Sequence, residues 1–220
     1  MRLLGPVQKD LVFVGGSATG LLVTDPGSPP IRPTKDVDTI VEVGTLVDYH
    51  RFSNRLRQLG FREDMSDGAP ICRWLHDAYV LDVMPTNPTI LGFGNRWFDS
   101  VFHAAVSYEL PSGTAIRVVP APLFIATKLE AFLTRGKSDF LLSSDLEDTL
   151  AVLNGREAIV SEIGQSDPEI KSYLRERFIG LLHNPNFLDA LPGHLPPDAI
   201  SQGRQNIIRH RMQQVIDVTS

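Results

Sequence analysis

The chain has 220 residues, 42% of them hydrophobic, with 21 Lys and Arg against 26 Asp and Glu and a formal net charge of −5. That length fits one large domain or two small ones around a packed core, and the negative balance excludes a global basic field for nucleic acid. The single Cys72 excludes an internal disulfide, and no apolar run reaches the roughly 18 residues of a membrane span, so a cytoplasmic protein with no signal peptide and no membrane partner is expected.

The apolar run Leu11–Val14 predicts a strand, followed by the turn Gly15-Gly16-Ser17. Ser17 is expected at the N-cap of a short helix reaching Val23. Gly15 and Gly16 carry no Cβ, so the turn can take positive φ and set backbone N–H groups against an anion. Asp25-Pro26-Gly27-Ser28-Pro29-Pro30 must be a loop, either a surface insertion or a lid. Asp36–Val43 alternates charged and apolar residues, which predicts a strand with Asp36 and Asp38 on one face and Val37, Val41 and Val43 on the other. Two carboxylates at that spacing can converge on one or two divalent cations.

Leu46, Tyr49, Phe52 and Leu56 recur at helical steps, predicting an amphipathic helix from Thr45 to Leu59 that Gly60 ends. Ile71–Leu75 and Ala78–Met84 predict two antiparallel strands around His76-Asp77. Asp82 stands in the second of them, and a carboxylate in an apolar strand is costly unless paired, hydrogen-bonded or bound to a metal. Arg96–His103 reads as a helical turn or two, and Ala105–Leu110 with Ala115–Val119 as a hairpin around Pro111-Ser112-Gly113.

From Pro120 onward helical periodicity dominates. A helix from Pro122 to about Thr134, ended by Gly136, carries Phe124, Lys128 and Arg135 along its face. Ser144-Asp145-Leu146-Glu147 has the form of a capping box, opening a helix through Leu153 with Asp145 and Asp148 one turn apart. Helices are expected over Pro168–Leu182 and Asp198–Val218, joined by the Pro-rich link Leu191–Pro197. In the last, Ile208, Met212 and Val215 form a stripe expected to dock on the core, with Arg204, Arg209 and Arg211 solvated beside it or forming a basic edge for RNA. The six histidines show no metal-ligand spacing, so zinc is not expected.

Glycine turn, Arg32-Pro33-Thr34-Lys35-Asp36-Val37-Asp38, the later Asp82, Lys128-Leu129-Glu130-Ala131-Phe132 with Arg135-Gly136-Lys137, and Asp145-x-x-Asp148 together resemble the nucleotidyltransferase superfamily of the DNA polymerase β type. The closer resemblance is to AbiEii/AbiGii-type nucleotidyltransferases, which include the MenT toxins of toxin–antitoxin pairs. It implies an α+β nucleotidyltransferase fold: a mixed, twisted sheet flanked by helices as catalytic core over residues 1–120, and a helical C-terminal subdomain over 121–220 closing over the nucleotide. It also implies roles. Gly15, Gly16, Ser17 and Lys35 would hold an NTP such as ATP, and Asp36 and Asp38 would bind Mg²⁺ or Mn²⁺. Asp82 would complete the metal site and help deprotonate the acceptor, Lys128 and Arg135 would neutralise phosphate charge, and Asp145 and Asp148 would orient those basic groups or the nucleotide.

The implied activity is transfer of a nucleoside monophosphate to a hydroxyl, with the 3′ end of tRNA as acceptor and a cognate antitoxin as partner. Two alternatives stand beside it: a small-molecule (aminoglycoside-type) or protein acceptor, and a non-catalytic nucleotidyltransferase-like binding module. The chain departs from the family in two places. Ala18–Lys35 is longer than the usual gap, and Ser144 stands where the family places a basic residue before the aspartate.

Overall fold

Leu11–Val14 forms strand β1, and all four side chains are buried. A strand covered on both faces needs no polar alternation, which is why this run is uniformly apolar. It continues directly into α1 (Gly15–Leu22). The helix therefore begins two residues before its expected cap, and the Ser17 hydroxyl donates to the Val14 carbonyl (3.3 Å) instead of capping a free N–H. β2 (Asp36–Val41), α2 (Leu46–Gln58), β3 (Arg62–Glu63), β4 (Arg73–His76), β5 (Tyr79–Pro85), α3 (Phe98–Ala104), β6 (Val106–Glu109) and β7 (Ala115–Val118) follow. The structure, a computed structural model, describes residues 2–135 and 139–219, with Arg2 and Arg135 described by their backbone alone. It divides into two compact units, Met1–Ala18 with Pro33–Pro120, and Thr19–Arg32 with Ala121–Ser220.

In the first unit the strands form one mixed sheet in the order β3-β4-β5-β2-β1-β7-β6. β2 runs parallel to β5 and β1 parallel to β7, while the remaining pairs are antiparallel. The α+β architecture is the one expected, a mixed sheet with helices. β1 and β2 are central, so the aspartate strand has a neighbour on each side. Period two separates its faces: Val37 with Phe13, Phe61, Tyr79 and Leu81 lines an apolar hollow of about 290 Å³, and Asp36 and Asp38 point the other way. In α2 the Thr45 hydroxyl accepts the Asp48 N–H as N-cap, and Tyr49, Phe52 and Leu56 are buried; Leu46 is exposed because it sits in the first turn, off that stripe. The two-residue β3 and a 3₁₀ stretch over Arg2–Asp10 have no sequence signal of the kind that marks longer elements.

In the second unit α4 (Ala121–Arg135) is followed by α5 (Ser144–Gly155), α6 (Ile159–Gly164), α7 (Pro168–Leu182), α8 (Pro185–Ala190), α9 (Ala199–Gly203) and α10 (Gln205–Val218). The expected stop at Gly136 lies outside the described residues. α5 is capped by Ser143, whose hydroxyl accepts the Leu146 N–H, so the expected Ser144 capping box is displaced by one residue. The single helix expected over Asp198–Val218 is two, broken at Arg204, with Asp198 capping the first. Ile208, Met212 and Val215 are fully buried, as the docking stripe requires.

Arg209 is exposed as expected, but Arg204 and Arg211 are not simply solvated. Arg211 donates to the carbonyls of Leu153 and Asn154, both at 2.7 Å. Arg204 donates to the Asn154 side chain (2.7 Å), the Gly27 carbonyl (3.2 Å), Ser28 and the Asp25 carboxylate. Together with the amides of Thr24 and Asp25 on the Gly155 carbonyl (2.8 Å each), the Arg204 bonds tie the Asp25–Pro30 loop to α5 and to the break between α9 and α10. The loop is strapped down at Asp25–Ser28, within its own unit.

Candidate active site

β2 and β5 lie side by side in parallel, with Asp38 opposite Asp82 and Asp36 opposite Val80. Parallel partners point to the same side of a sheet, so Asp36, Asp38 and Asp82 share one face. Asp82 is held in a dry position, its side chain only 9% exposed, whereas that of Asp36 is 36% exposed. Of the three ways to offset a buried carboxylate, the protein uses pairing. In the β4–β5 hairpin Arg73 stands directly opposite Asp82, and its Nε and Nη2 donate to the two Asp82 oxygens at 2.9 and 2.7 Å. The same Nη2 reaches the Asp36 carboxylate at 3.2 Å, and the other Asp36 oxygen accepts from the Thr34 hydroxyl (2.8 Å). The hydrogen bond to Asp82 and the charges of Asp82 and Asp36 hold the guanidinium above its ordinary pKa, with burial opposing them.

Gly15 completes this corner. It has φ +65°, and a Cβ built on it would stand 1.8 Å from Asp38 Oδ2. Val14 pairs with Asp38 across β1 and β2, so the glycine turn is delivered against the carboxylate by sheet register. The positive φ expected of the turn is found at Gly15. Gly16 is buried, Ser17 is half-buried within the first turn of α1, and Lys35 is exposed immediately before β2.

Lys128, Asp145 and Asp148 belong to the second unit, where they form a cluster of a different kind. Lys128 Nζ lies 3.1 Å from Asp145 and 2.7 Å from Asp148, with all three side chains at most 10% exposed. Arg32 donates Nε and Nη2 to the two Asp148 oxygens at 3.1 and 2.9 Å. Burial lowers the Arg32 pKa, but its hydrogen bonds and charge pairing with Asp148 outweigh that and leave it raised. Asp145 is thus more than a first-turn acid facing the helix dipole. The Arg135 side chain lies outside the described residues.

Arg73 is the residue that reading the sequence missed. The signal was present: the hairpin turn is Asp77-Ala78, with Asp77 at φ +52°, and that register sets Arg73 opposite Asp82. Centring the turn on His76-Asp77 would place Ile71 there instead.

The donor set suits a hard divalent cation, because it is made of carboxylate oxygens on one face, and a guanidinium already sits between two of them. Among the described residues, the set of three acidic or histidine side chains whose ligand atoms all lie within 4.8 Å is Glu42, Asp99 and His103, all exposed. Asp36, Asp38 and Asp82 stand wider than that, with Arg73 between the first and last. Cys72, next to Arg73, is buried and its thiol is pushed up to about 12 by that burial, an inert packing residue.

No protein-family model matches the chain, and no curated protein matches it. Among solved structures, JHP933 from Helicobacter pylori is similar at 12% identity and TM-score 0.48, covering 98% of this chain and 87% of that one. A "putative nucleotidyltransferase" from H. pylori is similar at 10% identity and TM-score 0.48, covering 98% and 89%. At such values neither likeness bears on the chemistry of the aspartates. Among the described residues no helix is long and apolar enough to cross a membrane.

Proposed function

We propose that the chain is a nucleotidyltransferase, moving a nucleoside monophosphate from an NTP to a hydroxyl acceptor and releasing pyrophosphate. The observation that carries this reading is that Asp36, Asp38 and Asp82 share one face of two parallel strands, beside a glycine that leaves no room for a side chain against Asp38. Asp36, Asp38 and Asp82 would hold Mg²⁺ or Mn²⁺, which when bound supplies Lewis acidity to the transferring phosphoryl group and the acceptor oxygen. Gly15 keeps the turn close to the carboxylates, and Gly16, Ser17 and Lys35 are the groups assigned to the phosphates. The acceptor oxygen forms a bond to the α-phosphorus as the α–β bridge breaks. Asp82 takes the hydroxyl proton, which requires one of its oxygens to be free of Arg73.

The finer reading is an AbiEii/MenT-type toxin acting in the cytoplasm on the 3′ end of tRNA and opposed by an antitoxin. What supports it is the order of motifs along the chain. Nucleotide roles for Lys128, Arg135, Asp145 and Asp148 rest on that resemblance alone. Incubating the full chain with Mg²⁺ and each labelled NTP against tRNA, aminoglycosides and protein acceptors tests the reading. Label on tRNA is expected. Label on another acceptor with tRNA untouched removes the tRNA assignment, and label on none contradicts transfer.

One observation favours a second reading, a non-catalytic binding module. Arg73 pairs with both Asp36 and Asp82, so these carboxylates can stand side by side without a metal or a catalytic duty. Loss of all transfer with retained nucleotide binding is its signature.

A further inference from the structure

We infer that Arg73 is a built-in counter-cation of the aspartate site, and that a divalent metal must displace its guanidinium to bind. The inference rests on the metal reading of Asp36, Asp38 and Asp82 and adds the residue that controls access to them. Two observations and one principle carry it. Both Asp82 oxygens accept from Arg73, and one of these donors also reaches Asp36, so the guanidinium spans two of the three carboxylates assigned to the metal. A metal and a guanidinium cannot share the same lone pairs, and as like charges they repel at that range. Arg73 stands between Asp36 and Asp82, and the three aspartates are not among the described groups whose ligand atoms all lie within 4.8 Å.

Arg73 can leave. Its side chain is 25% exposed, and a long aliphatic stem lets the charged head swing into water without moving the strand. The pairing offsets the burial of the Asp82 carboxylate, and breaking it without a replacement cation would leave that carboxylate without its two-pronged contact. Arg73 is accordingly a positioning residue: it holds Asp36 and Asp82 on the site, and the metal takes over that task.

The test is Mn²⁺ affinity, measured without nucleotide by calorimetry and electron paramagnetic resonance on the full chain. Wild type, Arg73→Gln, Arg73→Lys and the double variant Asp36→Asn plus Asp38→Asn are compared. Removing the competitor is expected to tighten Mn²⁺ binding about tenfold in Arg73→Gln, with Arg73→Lys in between because an ammonium cannot make the two-pronged contact. Mn²⁺ is also expected to raise the Tm of Arg73→Gln by more than that of wild type. Should Arg73→Gln fail to fold, Arg73→Lys decides on its own: tighter binding than wild type supports the inference. Equal or weaker binding in the Arg73 variants, with wild-type binding lost in the double variant, overturns it and leaves the metal site standing. No aspartate-dependent binding in any protein overturns the metal site and the inference together.

Discussion

The two charged clusters both pair aspartates with cationic side chains and differ in how far those side chains are buried. In the helical unit, Lys128 and Asp148 are 9% and 2% exposed, and every oxygen of Asp148 has a cation on it. In the sheet unit Asp82 is as dry, at 9%, but Arg73 and Asp36 are 25% and 36% exposed, and one guanidinium serves two carboxylates. A buried charge has no substitute partner when its own is removed, whereas a half-exposed one can turn to water. The first cluster has no solvated member at its Lys128–Asp148 contact, whereas in the second the Arg73–Asp36 contact is open to water while Asp82 is not. A metal-dependent site needs the second kind, because its resting partner has to give way.

The largest expected effect breaks the first cluster. Lys128→Met removes the buried cation that contacts both Asp145 and Asp148, and should cost about 3–5 kcal/mol in urea unfolding. Asp36→Asn, which removes a half-exposed ion pair, should cost less than about 1 kcal/mol. Equal costs would erase the distinction. Gly15→Ala comes next: forcing a side chain into φ +65° against Asp38 should cost about 1–3 kcal/mol in a thermal melt, and a neutral result would show that the turn does not press on the carboxylate. The smallest effect is local. Arg204→Ala should lower stability by about 1 kcal/mol while stripping the Thr24 and Asp25 amides of hydrogen-exchange protection; unchanged protection would mean that the loop is held by other bonds.

How much of this could be read from residues alone varies with the range of the interaction. α7 begins at Pro168 and ends at Leu182, as its proline start and periodicity imply. The shared face of Asp36 and Asp38 follows from period two, and the strand carrying Asp82 follows from β-branched and apolar alternation. Arg73 depended on the hairpin register, and setting the turn one residue too early moves the cross-strand partner by two. The Lys128–Asp148 cluster joins two helices, and helical periodicity says which face is apolar but not which charges meet across it. Arg204 and Asp25 are 179 positions apart, beyond any local signal, so a loop that reads as an insertion or a lid is in fact tied down. Ser143 and Ser144 are adjacent cap candidates with the same chemistry, which is why the helix start was off by one.

Asp36, Asp38 and Asp82 are proposed to form a metal-dependent nucleotide site. Calorimetric titration of each of the four Mg-NTPs into wild type and into Asp36→Ala plus Asp38→Ala tests it most directly. At least one nucleotide should bind wild type and bind the double variant about a hundredfold more weakly. Equal binding of that nucleotide by both proteins would contradict the claim.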